Sequence, residues 1–383
     1  MTISFMRYTS LQSFKGSCFF IFLFTFIIYL FITGILYDIP KQPDTGEYTR
    51  RTKLNIKPFK LDKRVNVTSY KVGIIMVVTA DSDLSYYEDA IQSVQCYSQI
   101  QKYQFILAVD NEYNCTHTDK FFRRHCVAAK ILPLFDTILF LDADIGLVNP
   151  KKRIEEYMDD HIDVTFYDRF YNWEIMAGSY IARNTPYSVD LLNEFADYEY
   201  KIPASFHGTD NGALHLFLAE KVFPNESAQL NICRQVYNMS NGFDDLFTYE
   251  ACIRGIFGAS TDFGKLRIMK KGTGWARDEW LTSGQWHPDI DFMFHGWKRN
   301  QLRETPENLM KPDQMDRGIW YNPLIGSIDL SKCNPSNTTW NYDKRLMGNK
   351  QDILDSLKQF EEKVAFDQIM SYARIPQVLS RWF

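Results

Sequence analysis

From Gly16 to Tyr37 the chain carries no charged residue, and after that stretch its apolar positions break into short runs separated by polar ones. The uninterrupted run, GSCFFIFLFTFIIYLFITGILY, is long enough to cross a hydrocarbon core of about 30 Å at about 1.5 Å per residue. A cleaved signal peptide would have a shorter apolar region, about 7–15 residues, and then a small-x-small site. Here Ile32 stands where Ile32-Thr33-Gly34 would need a small side chain. The pattern predicts a transmembrane signal anchor over 16–37 with a cytosolic tail over 1–15. Residues 38–70, with Pro40, Pro43, many charges and little periodicity, read as a stem.

Beyond the stem the rhythm becomes that of an α/β protein. Val72-Gly-Ile-Ile-Met-Val-Val-Thr79 is a β-branched apolar run suited to a strand buried on both faces. Asp81-Ser-Asp83 offers a helix N-cap, and Leu84, Tyr87, Ile91 and Val94 follow at helical spacing. Gln104–Val109 and Thr137–Leu141 predict two more strands, each ending at an aspartate. Thr185-Pro186 is a cap and first-turn proline ahead of Leu191, Leu192 and Phe195, and Ile353, Leu357, Phe360 and Val364 mark a late amphipathic helix. Strands alternating with helices predict a mainly parallel sheet with covering helices. The expected organisation is a catalytic body over 71–305 and a C-terminal extension over 306–383.

Composition narrows the class. With 45% apolar and 23% charged residues, the chain can bury a sizeable core. Lys+Arg is 43 against Asp+Glu 47, and no basic stripe stands out, which argues against nucleic acid as a partner. Charges flank the anchor on both sides, so the positive-inside rule gives no direction. Five N-x-Ser/Thr sequons, at Asn66, Asn114, Asn225, Asn238 and Asn337, all follow it. So do six of the seven cysteines; an even number fits disulfides, with 15 possible connectivities. These features predict a single-pass type II protein with a lumenal body, in the Golgi or the endoplasmic reticulum.

In open α/β sheets, ligands bind beyond the carboxyl ends of the strands. Phe140-Leu-Asp-Ala-Asp-Ile-Gly146 delivers two carboxylates to such an edge, where hard oxygen ligands suit Mg²⁺ or Mn²⁺. Ile138-Leu-Phe-Leu-Asp-Ala-Asp-Ile-Gly-Leu-Val-Asn-Pro150 resembles the metal-binding strand and loop of GT-A glycosyltransferases. Ala177-Gly-Ser-Tyr-Ile-Ala-Arg-Asn184 and His207-Gly-Thr-Asp-Asn-Gly-Ala-Leu-His215 are similar to segments of the galactosyl/xylosyl transferase branch, with Asp210-Asn211 in place of the usual Asp-Gln. Phe294-His-Gly-Trp-Lys298 occupies the place of that branch's late histidine motif. From about 70 to 300 the chain looks closest to a nematode-type family of uncharacterised nucleotide-diphospho-sugar transferases.

The resemblance implies a metal-dependent glycosyltransferase, moving a sugar from a nucleotide-diphosphate donor to a glycan or glycoprotein acceptor, in the retaining mode. It implies that Asp142, Asp144 and His295 hold the metal, with Asp142 also facing the diphosphate, and that Lys298 pairs with phosphate. Thr79 and Asp81 would cradle the nucleobase and ribose, and Asp210 and Asn211 would face the sugar. Two other readings stay open. Haloacid-dehalogenase phosphatases also place Asp-x-Asp after an apolar strand, although Ile145-Gly146 and the spacing of Gly242-Phe-Asp-Asp245 depart from their pattern. A non-catalytic lumenal sugar-binding protein would use the close spacing of Trp275, Trp280, Trp286 and Trp297, which a plain core would also explain.

Overall fold

The computed structural model describes residues 71–382 except 226, 312, 313, 316 and 317. The expected tail, anchor and stem lie outside the described residues. Among the described residues no helix is long and apolar enough to cross a membrane.

The strands in chain order are β1 (Val72–Val78), β2 (Gln104–Val109), β3 (Thr137–Leu141), β4 (Ile145–Leu147), β5 (Val164–Tyr167), β6 (Ser179–Arg183), β7 (Asp262–Phe263), β8 (Leu266–Met269), β9 (Ala276–Asp278) and β10 (Met293–His295). The helices the argument uses are α1 (Glu88–Gln101), α2 (Lys120–Ile131), α3 (Pro186–Asp197), α4 (Thr209–Val222), α5 (Ala228–Asn238), α6 (Phe243–Phe257) and α7 (Lys350–Ala373). Seven strands form the central sheet in the order β2-β1-β3-β6-β5-β8-β7.

The sheet is mixed rather than mainly parallel in its pairings. β1 runs parallel to β2 and β3, but β6 is inserted antiparallel between β3 and β5, and β7 is antiparallel to β8. Strand direction is not encoded in an apolar run, because the residues of β6 would be buried in either sense. Every residue of β3 is buried, and burying each of its large aliphatic side chains contributes about 1.5–3 kcal/mol. That packing fixes where the strand stops and therefore where Asp142 begins.

Asp83 accepts from Ser85 N, so it caps a short 3₁₀ turn at Leu84–Tyr86, and α1 starts later than the sequence suggested. Thr185 caps α3 through Ser188 N, with Pro186 at the first position, as expected. The six cysteines after Cys18 form three disulfides: Cys96–Cys333, Cys115–Cys126 and Cys233–Cys252.

A second, three-stranded sheet in the order β4-β10-β9 lies beyond the end of β3. β10 pairs antiparallel with β4, setting His295 opposite Ile145, and parallel with β9, setting His295 opposite Asp278. This register brings residue 295 next to the acidic pair despite the distance along the chain.

Candidate metal centre

Ligand atoms of Asp142, Asp144 and His295 all lie within 4.8 Å of one another. Asp142 leaves the end of β3 with its amide donating to Gly178 O at 2.7 Å. A Cβ on Gly178 would stand 1.9 Å from Asp142 Oδ2, so the carboxylate occupies the space that any side chain there would need. Gly178 therefore has no room for a side chain, because the Asp142 carboxylate lies against it.

Asp144 is held from the other side. Its carbonyl accepts from Gly296 N at 3.1 Å and from Trp297 N at 2.8 Å. Gly296 adopts φ +101, a conformation that glycine reaches without strain, and this turns the chain so that both amides meet Asp144. The Lys298 ammonium pairs with Asp144 Oδ2 at 2.8 Å, and His295 Nε2 lies 3.6 Å from the same oxygen. Burial pushes the Asp144 carboxyl up, but the nearby His295 and Lys298 outweigh it and hold the group below the usual carboxylate range. Asp142 goes the other way, raised by burial against the opposing pull of Arg124, with the Asp144 charge adding to the rise.

His295 is oriented from behind. Its Nδ1 lies 2.8 Å from Asp278 Oδ1, and Asp278 in turn accepts from Arg169 at 2.7 Å. Asp278 is buried, but Arg169 and His295 hold its carboxyl down to about 2. An ionised Asp278 can only accept a hydrogen bond, so Nδ1 keeps its proton and donates it, and in the neutral ring Nε2 is the nitrogen left to bind a metal. This is how metal-ligating histidines are commonly fixed. Two carboxylates and one imidazole form a donor set that could hold a divalent metal ion.

Asp210 and Asn211 divide between two tasks. Asp210 is fully buried and does not cap α4, whose N-cap is Gly208. Its Oδ2 accepts from Arg124 Nη2 at 2.6 Å and lies 3.0 Å from His125 Nε2. Burial lowers His125 to about 4, so it is neutral at pH 7: Nε2–H donates to Asp210, and Nδ1 accepts from Tyr180 Oη at 3.2 Å. Arg124 also pairs with Asp142, and so bridges the metal candidate to Asp210. Asn211 is only half-buried, and its Oδ1 accepts from Ala177 N at 3.3 Å, on the same small segment that touches Asp142.

Thr79 and Asp81 follow β1, at the same edge as Asp142 because β1 and β3 are parallel neighbours. Thr79 Oγ1 lies 2.8 Å from Ser82 Oγ, and Asp81 is exposed. The loop after them reaches the late motif, where Arg299 N donates to Tyr86 O at 3.0 Å. Of the four tryptophans, Trp275, Trp286 and Trp297 are core residues, and Trp280 alone is half-buried.

Arg124 and Asp278 did not emerge from the sequence. The only local signal for Arg124 is that it falls on the helix face shared with Val127 and Ala128, which are buried. Asp278 gives none, since its neighbour Glu279 is also acidic.

Residues 94–312 match the family described as "Protein of unknown function, DUF273". No curated protein matches the sequence. Similar solved structures include a glycosyltransferase involved in the glycosylation of the major capsid of PBCV-1, with 19% identity, 41% of this chain and 79% of that one covered, and a TM-score of 0.33. Another is the apo-form glycosyltransferase GlyE of Streptococcus pneumoniae TIGR4, with 13% identity, 42% and 46% coverage, and a TM-score of 0.29.

Proposed function

The chain belongs to the DUF273 family, and we propose that it is a metal-dependent glycosyltransferase of GT-A type that uses a nucleotide-diphospho-sugar donor. The observation that carries this reading is the convergence of Asp142, Asp144 and His295 within 4.8 Å at the carboxyl edge of the sheet, with Lys298 on the same carboxylate.

Asp142, Asp144 and His295 would hold Mn²⁺ or Mg²⁺, which supplies positive charge for the diphosphate when bound. Asp278 keeps the His295 lone pair available, and Arg124 keeps Asp142 in place. Lys298, about a third exposed, stands ready to exchange its Asp144 partner for a phosphate oxygen as the leaving diphosphate gains charge. Thr79 and Asp81 would receive the nucleobase and ribose. Asn211 would meet the sugar, with Asp210 acting through Arg124 rather than by contact.

In the transfer step the bond from the anomeric carbon to the diphosphate oxygen breaks and a bond from that carbon to an acceptor oxygen forms. The acceptor's proton then passes to the leaving diphosphate in the retaining route. That route needs no protein base, which suits a site whose two carboxylates would be taken up by the metal. The acceptor would be a glycan or glycoprotein, met in the Golgi or endoplasmic reticulum by a type II membrane protein. Three disulfides and the sequons support an oxidising compartment.

The test is nucleoside diphosphate binding by the full-length chain in Mn²⁺ and in chelator. Asp142→Asn and Asp144→Asn keep size while removing a ligand charge. Each should lower affinity at least about tenfold in Mn²⁺ and change little in chelator. Unchanged Mn²⁺-dependent affinity in both variants would move the site elsewhere.

A further inference from the structure

Phe360, Tyr171, Trp280 and His295 form a row of rings whose successive centroids are 6.4, 5.9 and 6.3 Å apart. One end of the row is a candidate metal ligand. The other opens into a groove of about 320 Å³ between α6, α7 and the turn at residues 171–173. That volume lies at the lower end of the range for small-molecule sites, about 300–1,000 Å³. Trp173, Phe247 and Val364 complete its apolar wall.

The turn is built in advance of any ligand. Trp173 Nε1 donates to Phe247 O at 3.0 Å, and Asn172 is locked onto Glu174. Lys271 Nζ donates to the carbonyls of Arg169 and Asn172. Arg169 connects this turn to the metal site, because it pairs with both Glu174 and Asp278. A ligand ordered by the turn is therefore positioned against the same framework that orients His295.

The charges around the groove are balanced within the chain. Lys363 pairs with Asp367 at 2.6 Å, and Arg374 reaches Asp245 at 3.4 Å. An anionic ligand would have to break these pairs. A neutral sugar ring would not, since it offers C–H faces to the aromatic rings and hydroxyls to the polar rim. We propose that the groove is an acceptor subsite that takes a neutral sugar unit of the acceptor glycan, with Tyr171 and Trp280 continuing the track towards the metal end. This assignment rests on the transferase reading above.

The experiment is ligand-observed NMR on the full-length chain in detergent, using methyl glycosides of neutral hexoses and N-acetylhexosamines as probes. Wild type should bind at least one of them. Phe360→Ala should weaken that binding about tenfold by removing one aromatic face. Ser371→Trp, which fills the groove without emptying the core, should abolish it. Both variants should retain Mn²⁺-dependent nucleoside diphosphate affinity within about twofold, since neither residue touches the metal end. Glycoside binding that ignores both substitutions, or no glycoside binding by a wild type that binds nucleotide, overturns the subsite alone. A wild type that fails to bind nucleotide in Mn²⁺ overturns the transferase reading and the acceptor assignment with it.

Discussion

Asp278 holds His295 through a 2.8 Å contact to Nδ1, and the opposite ring nitrogen lies 3.6 Å from the Asp144 carboxylate. The imidazole therefore spans an outer acid that fixes its proton and an inner acid with which it would share a metal. Asp278→Asn keeps the shape but removes the charge that secures this tautomer. Manganese affinity, measured by titration calorimetry, should fall about 10–100-fold, the usual cost of losing such an outer partner. An unchanged affinity would make His295 a structural residue.

Lys298 gives the opposite signature. It competes for Asp144 Oδ2 at 2.8 Å, so Lys298→Ala should leave manganese affinity equal or slightly higher. Nucleoside diphosphate affinity in saturating Mn²⁺ should drop by about tenfold, the value of one lost charge-assisted phosphate contact. Parallel loss of both affinities would show that the lysine only supports the local fold.

Arg124 is a matter of stability first. Arg124→Met leaves Asp210 buried without its cation, and breaking a buried pair from one side costs about 3–5 kcal/mol. Adding Asp210→Asn removes the stranded charge and should recover a large part of that loss. Urea unfolding of the single and double variants measures the coupling, and strictly additive losses would contradict the bridge.

Glu250 predicts a pH dependence. It is fully buried on α6, and neither carboxylate oxygen has a hydrogen-bond partner among the described residues. Burial, with the nearby Glu174 adding to it, pushes its carboxyl well above the usual range, against the pull of Arg169. The folded state thus keeps a proton that the unfolded state loses above about pH 4.5, so stability falls as pH rises past that value. Glu250→Gln removes this slope. Relative to wild type it should gain stability progressively from pH 5 upward, with no such gain near pH 4. A stability difference that is flat with pH would show that Glu250 is ionised in the folded protein.

The limits of what the sequence conveys follow from the range of each interaction. The bounds of β2 and β3 and the cap on α3 were legible because they depend on neighbours within a few residues. Asp142 and Asp144 were legible because a buried strand must deliver whatever follows it to the sheet edge. The antiparallel sense of β6 was not, since an apolar run such as residues 179–182 can be buried in either direction. Arg123 and Arg124 are adjacent and chemically identical, yet one pairs with Asp110 at 2.8 Å and the other with Asp142 and Asp210. Only the tertiary neighbours separate them. The spacing of four tryptophans fitted a sugar-binding face and a plain core equally; three of them fill the core, and Trp280 alone is half-buried, its ring 6.3 Å from that of His295.

The Cys96–Cys333 bond also sets an order of events during biosynthesis. The two cysteines are 237 residues apart, so the first leaves the ribosome with no correct partner yet made. At about 5–20 residues per second, Cys96 waits on the order of 10–50 s, while the partners of Cys115 and Cys233 arrive much sooner. During that interval Cys96 must avoid the thiols made after it. A chain truncated before residue 333 would leave the Cys96 thiol without its partner.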